Sequence, residues 1–139
     1  MQSSLPAFVK EFKNEIYMEE VVTRIARTIW DALGPGYSEA VYHTAFEVAL
    51  RHEGIKYETE RIIPVTFLGQ NVGHVRADII LDGQAVIELK SASRLTEASR
   101  IQIRNYMKLL GLTQGWLVNF PDKNGPVEIE DHTVRMNSH

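Results

Sequence analysis

The chain has 139 residues, 44% hydrophobic and 24% charged, with a formal net charge of −3 and no cysteine. This is the composition of a soluble globular protein long enough for one hydrophobic core, and disulfides and thiolate metal sites are excluded. The negative balance argues against a basic nucleic-acid coating protein, and no apolar run approaches the roughly 20 residues of a membrane span.

The start, Met1-Gln2-Ser3-Ser4-Leu5-Pro6, lacks the basic end and apolar core of a signal peptide, so a cytoplasmic, single-domain protein over 1–139 is expected. Residues 1–13 read as a loose lead-in or a short helix. From about Asn14, the positions Ile16, Val21, Val22, Ile25, Ile29 and Leu33 follow helical spacing, and Gly34-Pro35-Gly36 breaks the helix. Ser38 is a plausible N-cap for a second helix to about His52, stopped by Gly54. Its expected core face is Val41, Ala45, Val48 and Ala49, with Glu39, Tyr42, His43 and Phe46 on the neighbouring stripe. Lys56 to Leu68 is rich in β-branched and aromatic residues, with Pro64 marking an edge strand or a bulge. Gly69-Gln70-Asn71 reads as a turn, and a hairpin follows from about Val72 to Ser91. Thr96 caps a third helix reaching Leu110 and closed by Gly111. Gly115 to Phe120 is a short buried strand, Val127-Glu128-Ile129 a candidate edge strand, and the last residues are expected to fray.

Chemistry concentrates in the hairpin. Arg76, Asp78, Glu88 and Lys90 interrupt a nearly continuous apolar run, and charges are tolerated on buried strands only when paired or bound to metal. Glu88 and Lys90 share one face of their strand, and the turn decides where Asp78 lies. A two-residue loop at Asp82-Gly83 would turn Asp78 away from Glu88. A three-residue loop, Leu81-Asp82-Gly83, would bring the two acids together. Local preference allows either; only an odd loop assembles a site, and the odd loop is the expectation. The opposite face, Ile79, Leu81, Ile87 and Leu89, is wholly apolar, so the sheet needs a cover on both sides. Two neighbouring carboxylates repel, and hard oxygen ligands suit Mg²⁺ or Mn²⁺. Lys90 stands where it can orient or deprotonate a water, or offset charge in a phosphoryl transition state.

Taken in order, these segments resemble a known family. Gly36-Tyr37-Ser38-Glu39-Ala40-Val41-Tyr42 matches the signature of the GxxExxY proteins. Arg76-Ala77-Asp78 followed by Glu88-Leu89-Lys90 is similar to the core of the PD-(D/E)XK nuclease superfamily, and Gln102 and Tyr106 match its Q-x-x-x-Y feature. The resemblance covers about residues 20–120. Ser99 stands where many relatives have histidine, and residues 121–139 match nothing in the family. The resemblance implies an α/β fold with a restriction-endonuclease-like core: a mixed sheet of about four strands flanked by helices on both faces. It implies Glu39, Asp78, Glu88 and the Leu89 backbone carbonyl as metal ligands, Lys90 and Gln102 as further catalytic residues, and Tyr106 near substrate.

Arg100, Arg104 and Lys108 recur at helical spacing, either as a solvated face or as a track for a phosphate backbone, with Arg100 and Arg104 the candidate substrate contacts. Trp30 and Trp116 read as core. The leading function is a Mg²⁺- or Mn²⁺-dependent nuclease with a nucleic-acid partner, DNA before RNA, and a homodimer is allowed. The alternatives are a silent nuclease-like module that binds nucleic acid or a protein, and a hydrolase of some small phosphoester.

Overall fold

The computed structural model describes residues 7–135, with side chains from Asn14 onward. Residues 1–6 and 136–139, where a lead-in and a frayed end are expected, lie outside the described residues. Helix α1 spans Ala7–Leu33 and so begins well before Asn14. Met18, Val21, Val22, Ile25, Ala26 and Ile29 form its buried stripe. Helix α2, Glu39–His52, begins after Ser38 as expected, although the Ser38 side chain makes no cap hydrogen bond.

The rotation of α2 differs from the sequence reading. Tyr42, Phe46 and Leu50 are its buried residues, while Val41 is 40% and Val48 52% exposed. Aromatic volume decides the orientation: Tyr42 stacks on Phe120 with centroids 4.4 Å apart and planes within 5°, which buries more apolar surface than a valine would.

Strands β1 (Tyr57–Phe67), β2 (Gln70–Leu81) and β3 (Ala85–Lys90) form an antiparallel meander. Helix α3, Glu97–Leu110, then crosses to β4 (Gln114–Asn119), which pairs in parallel with β3. Thr96 accepts a hydrogen bond from Ser99 N–H at the start of α3, and Gly111 closes it in the left-handed conformation at φ 68°. Strand β5, Glu128–Asp131, pairs antiparallel with β4, so the mixed sheet has five strands in the order β1-β2-β3-β4-β5 rather than about four. Pro64 lies on the edge strand β1, immediately before a register shift at Val65/Thr66.

Pleating divides the core in two. Ile79, Leu81, Ile87, Leu89, Trp116, Val118 and Phe120 pack under α1 and α2. Ile80, Val86 and Leu117 pack under Ile103, Tyr106 and Met107 of α3. The second contact is close enough to demand glycine: a Cβ on Gly115 would stand 2.5 Å from Met107 Sδ and 3.3 Å from Ile103 Cδ1. No helix among the described residues is long and apolar enough to cross a membrane. Gly115→Val is therefore expected to push α3 off the sheet and lower stability by about 1–3 kcal/mol in a denaturant melt; unchanged stability would show that Met107 repacks freely.

Candidate active site

The β2–β3 turn sets the site. Leu81 pairs with Ala85, Ile80 with Val86 and Ile79 with Ile87, leaving Asp82, Gly83 and Gln84 as the loop. Its length is odd, as expected, but it sits one residue further along than Leu81-Asp82-Gly83. Asp82 and Gly83 have φ of 51° and 66°, and Gln84 N–H donates to the Leu81 carbonyl at 2.9 Å. The Asp-Gly pair thus takes the two positive-φ positions of a primed turn, and Gln84 is the additional residue that keeps the parity odd. Asp78, Ile80, Val86, Glu88 and Lys90 consequently share the face beneath α3.

Beyond Ile79–Ile87 the acids themselves join the strands. Asp78 N–H donates to Glu88 Oε1 at 2.9 Å, and Leu89 N–H donates to Asp78 Oδ2 at 2.9 Å. Each carboxylate takes a backbone donor of the opposite strand, which holds both side chains in fixed orientation. Glu88 is 2% exposed. Burial first, and then the charge of Asp78, pushes its carboxyl up to about 9, against the opposing pull of the Asp78 N–H and Lys90. Lys90 Nζ donates to Gln102 Oε1 at 2.8 Å, so the crossover helix orients the lysine. The Tyr106 phenol is raised by burial and by the charges of Glu88 and Asp78, with Gln102 and the backbone of Arg76 opposing through hydrogen bonds. Sequence pattern and structure therefore bring Asp78, Glu88, Lys90, Gln102 and Tyr106 to one place.

Glu39 arrives from the other face of the sheet, on the exposed first turn of α2. Although the residue as a whole is exposed, partial desolvation of its carboxyl raises it; Lys90 opposes that rise and Asp78 adds to it. Two ties hold this turn in place. Tyr42 hydroxyl donates to the Gly34 carbonyl at 2.5 Å, and Ser91 hydroxyl donates to the Tyr37 carbonyl at 3.1 Å. The same segment after Lys90 is clamped by Asn119, which is fully buried. Asn119 Nδ2 donates to the Ala92 carbonyl at 2.9 Å and to Glu128 Oε1 at 2.7 Å, while Ala92 N–H donates to Asn119 Oδ1 at 2.9 Å. Sequence reading passed over Asn119 as a site residue; its signal was a lone amide in the apolar run Gly115 to Phe120.

The arginines are engaged elsewhere. Arg100 makes a forked contact with Glu130 of β5, the closest bond being 2.8 Å, and Arg104 lies 3.7 Å from Glu97. His43 joins α2 to β1 through Thr59 Oγ1 at 2.8 Å. Among the described residues, no three His, Asp or Glu side chains are gathered closely enough to hold a metal by themselves; the close pair is Asp78 and Glu88, with Glu39 at its rim.

A family model described as the PD-(D/E)XK nuclease superfamily matches residues 17–131. The match takes in all five strands and extends past the Phe120 limit of the sequence resemblance to include β5. No curated protein matches the chain. A solved structure described as "Crystal structure of SSO0001" is similar over 92% of this chain, with a TM-score of 0.52 at 20% identity. The chain spans 63% of that protein's length, and at this identity the likeness is one of fold.

The acid pair, Glu88 buried and Asp78 half-buried, has a pH signature. Below about 4.5 Glu88 is protonated both folded and unfolded; between there and about 9 only the unfolded state releases the proton, so this group's contribution to stability falls as pH rises. In EDTA, Glu88→Gln is expected to match wild type at pH 5 and to exceed it at pH 8. The gain is on the order of 1.4 kcal/mol for each pH unit of the window expressed. Denaturant melts at the two pH values measure this, and equal effects at both would mean that Glu88 ionises normally.

Proposed function

This chain belongs to the PD-(D/E)XK nuclease superfamily, and from that premise we propose that it is a divalent-metal-dependent nuclease hydrolysing phosphodiester bonds, with DNA as the favoured substrate. We place it in the GxxExxY branch. The positive φ of Gly36, the position of Glu39 on the first turn of α2 and the bond from Tyr42 to Gly34 support that placement. The observation that carries the reading is the pairing of half-buried Asp78 with buried Glu88, with Lys90 one residue beyond Leu89 on the same strand.

The donor set fits Mg²⁺ or Mn²⁺. Two oxygen-only ligands lie side by side, burial and mutual repulsion hold a proton on one of them, and a bound cation would take that proton's place. Asp78, Glu88, the Leu89 carbonyl and, from the rim, Glu39 would hold the ion. When bound, it supplies positive charge against a phosphate oxygen and acidifies water. The backbone N–H bonds to Asp78 and Glu88 hold both carboxylates at one point of the sheet without side-chain reorganisation. Lys90, held by Gln102, places a donor and a positive charge beside that point, where it orients the attacking water or offsets charge on the leaving oxygen. Gln102 is a positioning residue acting through Lys90.

A second reading, a nuclease-like module that binds without cutting, draws on the arginines. Arg100 and Arg104 contact acids of this chain rather than standing free on α3, and the net charge is −3.

Calorimetric titration of Mn²⁺ is expected to show binding that Glu88→Ala abolishes. Cleavage of single- and double-stranded DNA with Mg²⁺ or Mn²⁺ is expected to vanish in Asp78→Asn and to fall about 10–100-fold in Gln102→Ala. Cleavage that persists in pure Asp78→Asn protein would refute the assignment, and metal binding without any cleavage would favour the second reading.

A further inference from the structure

We propose that the groove between α3 and the β1–β2 ribbon receives an unpaired nucleobase of the strand whose phosphate lies at Asp78 and Glu88. The inference rests on the reading of that site as one that takes nucleic acid. The groove is about 710 Å³ and is walled by Val65 and Val75 on the ribbon and by Ile101, Asn105 and Leu109 on α3. Gln102 and Tyr106 line it too. Gln102 is the residue that accepts the Lys90 hydrogen bond, so groove and site share a wall.

Three observations select the occupant. The α3 residues that pack the sheet are Ile103, Tyr106 and Met107; Ile101 and Leu109 are left 50% and 43% exposed. Apolar side chains held open beside a charged site need a flat, weakly solvated partner, and every base offers such a face. Gly73, the partner of Val65 in the ladder, brings no side chain, and nothing stands within 4 Å of where its Cβ would be. The ribbon side is therefore open. Among the described residues no acidic side chain lines the groove, while Lys108 and Asn105 do; in a chain of net charge −3 this is a surface that tolerates a polyanion and offers an amide to a base edge. A base inside a duplex is stacked on both faces and cannot enter, so the strand presented must be single-stranded, frayed or flapped.

The test is binding of a short oligonucleotide carrying a fluorescent purine analogue, in Ca²⁺ buffer, as a single strand and as a blunt duplex of the same sequence. Wild type is expected to bind the single strand at least about tenfold tighter. Ile101→Glu and, independently, Leu109→Glu should lose that advantage. Both positions are exposed enough to spare the fold, and Val48→Glu on α2 should behave as wild type. Equal or tighter duplex binding, unchanged binding by both variants, or no binding in either form would overturn the inference. Metal-dependent cleavage without strand preference would overturn the groove alone and leave the nuclease reading. Strand-selective binding without cleavage in any metal would do the reverse.

Discussion

Everything in the site depends on two carboxylates replacing backbone carbonyls between β2 and β3. A sheet apolar on both faces has no tolerance for free charge. Asp78 and Glu88 are admitted because each satisfies a backbone N–H of the opposite strand. The arrangement satisfies the hydrogen bonds and leaves the charge uncompensated. A proton on Glu88, held there by burial and by the charge of Asp78, relieves it.

Around that pair the fold works as a set of braces. Helix α3 comes directly after β3, and the parallel pairing of β3 and β4 aligns their carboxyl ends, where sites of open α/β sheets gather. Asn119 and Phe120 fasten the chain just after the lysine: Phe120 N–H donates to the Lys90 carbonyl at 2.9 Å while Asn119 grips Ala92. Ser91 then ties the same segment to the loop before α2. Acids from opposite faces of the sheet thereby stand toward the same end of it, Asp78 and Glu88 as a close pair and Glu39 at the rim.

What could be read from the sequence was what is local. Caps at Thr96 and Gly111, the helix breaker at Gly34-Pro35-Gly36 and the alternation of Glu88, Leu89 and Lys90 each have a mechanism that acts within a few residues. The parity of the β2–β3 turn was legible because only one parity brings the two acids to one face. Its position was missed by one residue, because Asp82-Gly83 satisfies the primed turn while Gln84 absorbs the remainder. The α2 core face was misjudged for a tertiary reason: helical periodicity permits either stripe, and the Tyr42–Phe120 stack, between residues distant in sequence, chooses. The forked contact of Arg100 with Glu130 of β5 was out of reach for a similar reason, since the two lie far apart along the chain.

The hairpin that carries the acids has a consequence for assembly. Asp78 and Glu88 are joined by one short antiparallel turn, so the loop that must close to juxtapose them is small and its entropic cost low. Glu39 and Asn119 are recruited only when α2 docks and β4 completes its crossover, contacts of much greater sequence separation. Juxtaposing the two acids thus closes far less chain than setting the braces around them does. On a hairpin without those braces the repulsion of the two acids would be felt in water and screened by salt, whereas in the finished sheet Glu88 is shut away from both.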